Sequence, residues 1–172
     1  MTSHHCADET EIRTWVRFLA AHTAITHELE ARLVGAHGLT LSDYDVLVQL
    51  ARAPERQLRN IDLAKAVLLT RSGVTRLVDG LERDGLVARS SCPDDKRGTL
   101  VHLTDKGMHL VRDAAQTHVD GVTELFLEHL GHGGREKMDK LLRTLPGGSE
   151  CEQRACMAEA PRAAKVAARS SS

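Results

Sequence analysis

The stretch LLTRSGVTRLVDGLERDG, residues 68–85, decides the fold. On a helical repeat, Val74, Leu77, Val78 and Leu81 fall at i, i+3, i+4 and i+7, one apolar stripe that must be buried. Ser72, Thr75, Arg76, Asp79 and Arg83 then face outward. Thr70 or Ser72 can cap the helix start with a side-chain oxygen, and Gly85 stops it where a left-handed residue is wanted. Upstream, a shorter helix is expected with Asn60 as its cap and Ile61, Ala64 and Val67 as its inner edge. Two short helices joined by a tight link at residues 68–70 make a helix-turn-helix.

After Gly85 the repeat changes from helical to alternating. Residues 86–91 and 99–103 read as two strands, with CPDDKRG (residues 92–98) as the loop between them. Pro93 and Gly98 punctuate that loop, and the charges between them keep its tip solvated. Gln57–Arg59 can add a third short strand beside this hairpin. A hairpin that follows a helix-turn-helix directly is a wing. The bland alternative is an amphipathic helix packed on a hairpin. Cap, stop, hairpin and cationic tip in one register favour DNA binding over it.

The run LSDYDVLVQLARAPERQLRNIDLAKAVLLTRSGVTRLVDGLERDGLVARSSCPDDKRGTLVHLTDKG, residues 41–107, resembles the winged helix of the MarR family of bacterial transcription regulators. The helical flanks match more loosely, to about residue 145. The family's Asp-x-Arg-Gly wing signature is matched by Asp95, Lys96, Arg97 and Gly98, and the helix pattern RSGVTRLV is equally typical. The resemblance implies a mainly α fold with a small β-hairpin wing. It places the winged helix at about 41–107 and dimerisation helices at about 10–36 and 104–145, within a MarR-type domain at 10–146. From composition, a flexible N-terminus (1–9) and a flexible tail (147–172) are expected to flank that domain. The resemblance further implies a homodimer on an inverted repeat of double-stranded DNA. A small-molecule or redox signal would shift the dimer between DNA-competent and incompetent spacings, giving a ligand-responsive repressor.

A recognition helix enters the major groove by its N-terminal half. Arg76 and Thr75 are the expected base contacts, and Arg71 and Ser72 the expected phosphate or positioning contacts. Asp79, one turn on, would repel phosphate. Arg83 is expected to meet backbone or its neighbours Glu82 and Asp84. On the wing, Arg97 would enter the adjacent minor groove, where negative potential favours a guanidinium. Asp95 would orient Arg97, and Lys96 would touch phosphate. Trp15, His22 and Asp45, with Arg13, are the candidates for the family's pocket between winged helix and dimer helices. For Trp15 core packing is the stronger reading, and for Asp45 a helix-start carboxylate.

Composition sets the outer bounds. The chain has 172 residues, enough for one domain with its own core. Only 2% of residues are aromatic, so the core must rest on Leu, Val, Ile and Ala. A net charge of −1 argues against indiscriminate polyanion binding. The charge is uneven, however: residues 8–50 carry three Arg against seven acids, and residues 56–106 carry ten bases against seven acids. No apolar run approaches the ~20 residues of a bilayer span, and no secretory signal is evident. A cytoplasmic chain with no membrane contact is expected. The four cysteines form no CxxC pair. Cys92, at the wing base, is the one thiol whose oxidation would disturb the hairpin. Ten His are present, but His102, His109 and His118 lack the i, i+4 spacing of a strong helical zinc site. Redox or zinc response, or a dimeric module that has lost DNA binding, are the alternatives. No Gly-rich phosphate loop, nucleophile elbow or HExxH motif suggests an enzyme, and no cofactor is expected.

Along the chain, residues 10–35 read as one long helix with Ile12, Trp15, Val16, Leu19, Ile25, Leu29 and Leu33 on its apolar side. It is too long to be covered by one small winged helix, so a partner is implied. Ser42 is the expected cap of the next helix, with Asp45 in the capping-box place. Tyr44, Val46, Leu47 and Leu50 would face the core. Thr104 would cap a helix reaching about residue 130, where Gly131, Gly133 and Gly134 break it. A last helix, residues 135–144, would turn Met138, Leu141 and Leu142 to the core. The basic, Ala-rich tail would add weak DNA attraction.

Overall fold

The computed structural model describes residues 9–67, 70–92 and 95–146, without the side chains of Glu11, Arg71, Cys92, Asp95, Lys96 and Arg97. Helix α1 (Glu9–His37) runs into a turn at Gly38, whose φ of 68° suits glycine. Helix α2 (Leu41–Arg52) is followed by a 3-10 turn, Pro54–Arg56, and strand β1 (Gln57–Arg59). Helices α3 (Asn60–Ala66) and α4 (Arg71–Arg83) come next, then strands β2 (Val87–Cys92) and β3 (Asp95–Leu103). Helix α5 (Asp105–Val122) passes through a π turn, Thr123–Leu127, into α6 (Glu128–Thr144). The architecture is mainly α with a three-stranded antiparallel sheet in the order β1-β3-β2.

The core lies where α2, α3, α4, α5 and the sheet converge. Leu47, Leu50, Leu63, Val74, Val78 and Val101 are fully buried there. The apolar stripe of α4 is the one expected: Val74, Val78 and Leu81 are buried and Leu77 packs at the edge. In α3 the expectation needs correcting. Leu63 is the buried residue and Ile61 is 42% exposed, while Ala64 and Val67 are buried as expected. Asn60 is not the cap either. It is the first helical residue, Arg59 holds the cap position without a side-chain bond, and the Asn60 amide donates to Thr75 Oγ1 at 3.4 Å.

The cap of α2 also moves two residues back. Thr40, not Ser42, is the N-cap, and Asp43, not Asp45, completes the capping box. Asp43 N–H donates to Thr40 Oγ1 at 3.1 Å, and Thr40 N–H returns a bond to Asp43 Oδ2 at 3.1 Å. Both Thr40–Asp43 and Ser42–Asp45 satisfy the motif spacing. Burial decides: Leu39 and Tyr44 must both reach the core, which puts the turn at Gly38 and not at Leu41.

Helix α1 is anchored over its C-terminal half, mainly against α5 and also against α2. Leu29 and Leu33 are buried, and Leu29 sits over Gly121, where a Cβ would come within 2.6 Å of its Cδ2. Arg32 adds a two-pronged pair to Glu124 in the π turn, at 2.7 and 3.1 Å, and bonds Glu28 at 3.0 Å. That partnership holds the Glu124 carboxyl below its usual range and the Arg32 guanidinium above its own. The N-terminal half of α1 leaves Ile12, Trp15, Val16, Phe18 and Leu19 in solvent. Trp15, read from sequence as core, is 56% exposed in the single chain.

The C-terminal helices differ from expectation in two ways. The break comes at Gly131 alone (φ 58°, ψ 178°), and the helix resumes directly, with Arg135 Nε bonding Leu127 O across the kink at 3.0 Å. Met138, Leu141 and Leu142 do not enter the core: α6 buries nothing, and Leu141 is 65% exposed. Residues 1–8, the link at residues 68–69, residues 93–94 of the wing and the tail from residue 147 lie outside the described residues.

Candidate nucleic-acid interface

Helix α4 begins at Thr70, whose Oγ1 accepts from Gly73 N–H at 3.1 Å. It ends in a Schellman turn: Gly85 N–H bonds Glu82 O at 2.9 Å, Leu86 N–H bonds Leu81 O at 2.8 Å, and Gly85 has φ 70°. With its apolar stripe sealed in the core, α4 presents Ser72, Thr75 and Arg76 to solvent. Arg71 is the first helical residue.

The wing is longer than the sequence suggested. Residues 95–98, expected in the loop, belong to β3, which pairs with β2 from Val87↔Leu103 to Cys92↔Asp95 with an irregularity at Ser91/Cys92. Asp95, Lys96 and Arg97 are therefore strand residues close to the hairpin tip. A charged, strand-forming pair of edges outcompetes an open loop because each added rung satisfies two backbone groups. β1 pairs with β3 as expected, Gln57↔His102 through Arg59↔Leu100.

Sequence reasoning missed Arg89. It shares the inward face of β2 with Val87 and reaches α4, bonding Asp79 Oδ1 at 2.7 Å, Glu82 Oε2 at 2.7 Å and Thr75 O at 3.3 Å. Its backbone N–H, on the open edge of the sheet, donates to Glu82 Oε1 at 3.1 Å. Asp79 is thus compensated instead of standing as a bare repulsive charge, and Glu82 serves Arg89 instead of Arg83. The sequence holds only half of this signal: Asp79 and Glu82 are three apart, hence on one helix face, but nothing in it names their partner.

A second lock joins α4 to α5. Thr104 caps α5 by accepting from Gly107 N–H at 3.0 Å, and its hydroxyl and N–H reach Gly85 O and Leu86 O at 2.9–3.1 Å. Lys106 Nζ bonds Asp84 O at 2.7 Å.

The effector candidates are not gathered at one point of the chain. Trp15, Phe18 and His22 form a row along α1, with ring centroids 5.9 and 6.4 Å apart. Arg13 pairs with Glu9 at 3.4 Å. A shallow groove on the same helix is lined by Val16, Leu19, Thr23 and His27. Asp45 lies on α2, half-buried, accepting from Gln49 at 3.4 Å, and burial pushes its carboxyl up. Beside it Tyr44 packs on His118 at 4.8 Å between ring centroids; burial raises the Tyr44 phenol and lowers the His118 imidazole. Among the described residues no three His, Cys, Asp or Glu side chains gather into a metal site, and no helix is long and apolar enough to cross a membrane.

The MarR family model matches residues 37–98. A MarR family transcriptional regulator from Streptomyces coelicolor, solved in complex with DNA, superposes with a TM-score of 0.79 at 33% identity, covering 84% of this chain and 91% of that one. The chain belongs to the MarR family. A second MarR family regulator from that organism, AbsC, gives a TM-score of 0.76 at 32% identity over 81% of this chain and 93% of its own. In sequence, the regulator PrsX of Escherichia coli is 32% identical over 82 residues, 48% of this chain. That match spans 49%, about half, of the PrsX length. MarR proteins are transcriptional regulators, not enzymes, and α3, α4 and the β2–β3 hairpin form the winged helix-turn-helix of this one.

Proposed function

We propose that this MarR family chain binds double-stranded DNA sequence-specifically, as a homodimer on an inverted repeat, and represses transcription until a small-molecule effector releases it. The carrying observation is that α4 seals one face in the core while Ser72, Thr75 and Arg76 stay exposed next to a two-stranded wing. Thr75 and Arg76 read base edges, and Arg71 and Ser72 hold phosphate. Lys96 and Arg97 contact the flanking backbone and minor groove from the wing, with Asp95 orienting Arg97. The DNA-bound Streptomyces relative supports this reading.

The homodimer rests on the uncovered stripe Ile12, Trp15, Val16, Phe18 and Leu19. A contiguous apolar face of that kind marks an interaction surface, and a second copy closes it symmetrically. Half-sites then fall about one helical turn apart. A dimer seated on such a site excludes polymerase wherever operator and promoter overlap, hence repression, and the protein works in the cytoplasm with the DNA. The effector would sit where Trp15 and His22 of α1 meet Asp45 across the dimer, because the single chain leaves these residues apart.

Selection of duplexes from a random pool by purified full-length protein tests the whole reading. One enriched inverted repeat is expected; no enrichment at low ionic strength would sink it. Arg76→Ala should weaken operator binding by ~1–3 kcal/mol and relax one position of the repeat. An equal loss on every sequence means that Arg76 touches only backbone.

A further inference from the structure

We propose that Arg89 is a positioning residue for DNA reading: its fork clamps the wing to the recognition helix, and the acids Asp79 and Glu82 are on that helix to hold it. This rests on the DNA-binding reading above. Four bonds meet at Arg89. The guanidinium takes Asp79, Glu82 and the Thr75 carbonyl, and the backbone N–H takes the second oxygen of Glu82. Residues 75, 79 and 82 stand at i, i+4 and i+7, so the fork lies along nearly two turns of α4. A planar fork with five fixed donors suits that task, whereas an ammonium is a single point charge.

The clamp sets where the tip of the wing goes. β2 continues from Arg89 to Cys92, roughly 10 Å at ~3.3 Å per residue. A tilt of about 10° at Arg89 therefore carries the tip by roughly 2 Å, against a tolerance near 0.5 Å for a working constellation. Two unit negative charges beside a phosphate-facing surface are otherwise a liability. Holding Arg89 is the use that the geometry assigns them, and it leaves the guanidinium inside the fold, 25% exposed, instead of on DNA.

The test compares wild type, Asp79→Asn/Glu82→Gln, Arg89→Gln and Arg89→Lys on the selected operator and on a scrambled duplex, across a salt series. Far-ultraviolet circular dichroism first establishes native helix content. Plain electrostatics says that the double variant, two charges more positive, binds the operator more tightly. The clamp instead says that its operator-to-scrambled ratio falls by about tenfold, one base pair's worth of discrimination. Arg89→Gln should lose the same ratio with an unchanged salt slope, and Arg89→Lys should recover part of it. A ratio kept or raised in the double variant overturns the clamp. So does a uniform loss in Arg89→Gln with a slope lower by about one, which marks a direct phosphate contact. If Arg89→Gln fails to fold, the double variant and Arg89→Lys decide. A wild type with no preferred duplex sinks the DNA-binding reading itself, and the clamp with it.

Discussion

Replacing Gly107 by Ala should unfold this protein more readily than its chemistry suggests. Gly107 is in the first turn of α5, and a Cβ there would come 2.2 Å from Leu86 O and 2.7 Å from Leu103 Cδ1. The leucine methyl can rotate away, but the carbonyl has no such freedom. It accepts from Thr104 N–H at 3.1 Å and from the Thr104 hydroxyl at 3.0 Å, and Leu86 N–H is tied to Leu81 O. Relief needs about 1 Å of movement between α5 and the end of α4, which stretches both Thr104 bonds. Overpacking costs ~1–3 kcal/mol, and a weakened cap adds about 1 kcal/mol. The better helix propensity of Ala returns up to about 1 kcal/mol. A net loss of about 1–3 kcal/mol follows, which at a urea m-value of about 2 kcal/mol/M lowers the midpoint by roughly 0.5–1.5 M. Gly80 is the internal control: it lies mid-α4, and a Cβ there meets nothing within 4 Å. Gly80→Ala should stabilise by roughly 0.5–1 kcal/mol through propensity and chain entropy. The assay is urea unfolding of both variants without DNA, at one protein concentration because a dimer's stability depends on it. Equal midpoints for the two variants, or a gain at Gly107, would refute the close approach of α5 to Leu86.

Three further outcomes are expected. Thr40→Ala should cost about 1 kcal/mol while Ser42→Ala stays within about 0.5 kcal/mol, because only Thr40 holds the capping box; equal costs in urea unfolding would return the cap to Ser42. Phe18→Glu, on the exposed stripe of α1, should shift sedimentation equilibrium from dimer to monomer with little change in helix content; an unchanged molar mass places the dimer contact elsewhere. His118→Phe should flatten the stability profile on the acid side. Burial lowers the folded pKa of His118, so the unfolded chain binds more protons, and stability present above about pH 6.5 is lost as pH falls below it. Asp45 acts in the opposite sense: its pKa is raised, so its carboxylate disfavours the fold as pH rises through that value. A wild-type midpoint that does not fall between pH 7.5 and 5.5, or falls equally in the variant, counts against His118 as the titrating group.

Local periodicity carried most of the fold. The stripe of α4, the Thr104 cap, the Gly85 stop and the Gln57–Arg59 strand are each decided within about ten residues, and each is where the pattern puts it. The failures share a cause. Thr40–Asp43 and Ser42–Asp45 are equivalent to a motif scan, and only the burial of Leu39 and Tyr44 separates them. Ile61 and Leu63 are equally apolar in sequence, but only Leu63 faces the core that other elements supply. Met138, Leu141 and Leu142 repeat on a helical period, yet among the described residues α6 meets nothing that buries them. An amphipathic pattern states that a face wants burial. It does not say whether the same chain provides the cover.

The candidate site divides the same way. Outward residues of α4 were legible because burial of one face dictates exposure of the other. Arg89 was not, because its partners lie 7, 10 and 14 residues back, across a helix end and into a strand. Nothing in a single-element repeat links a strand arginine to helix acids. An electrostatic reading of Asp79 alone saw a charge set against phosphate and left its partner out. Once β2 is folded beside α4, the same carboxylate is a ligand for a cation of its own chain. A charge on a helix surface therefore has no fixed meaning until the neighbouring strand is in place.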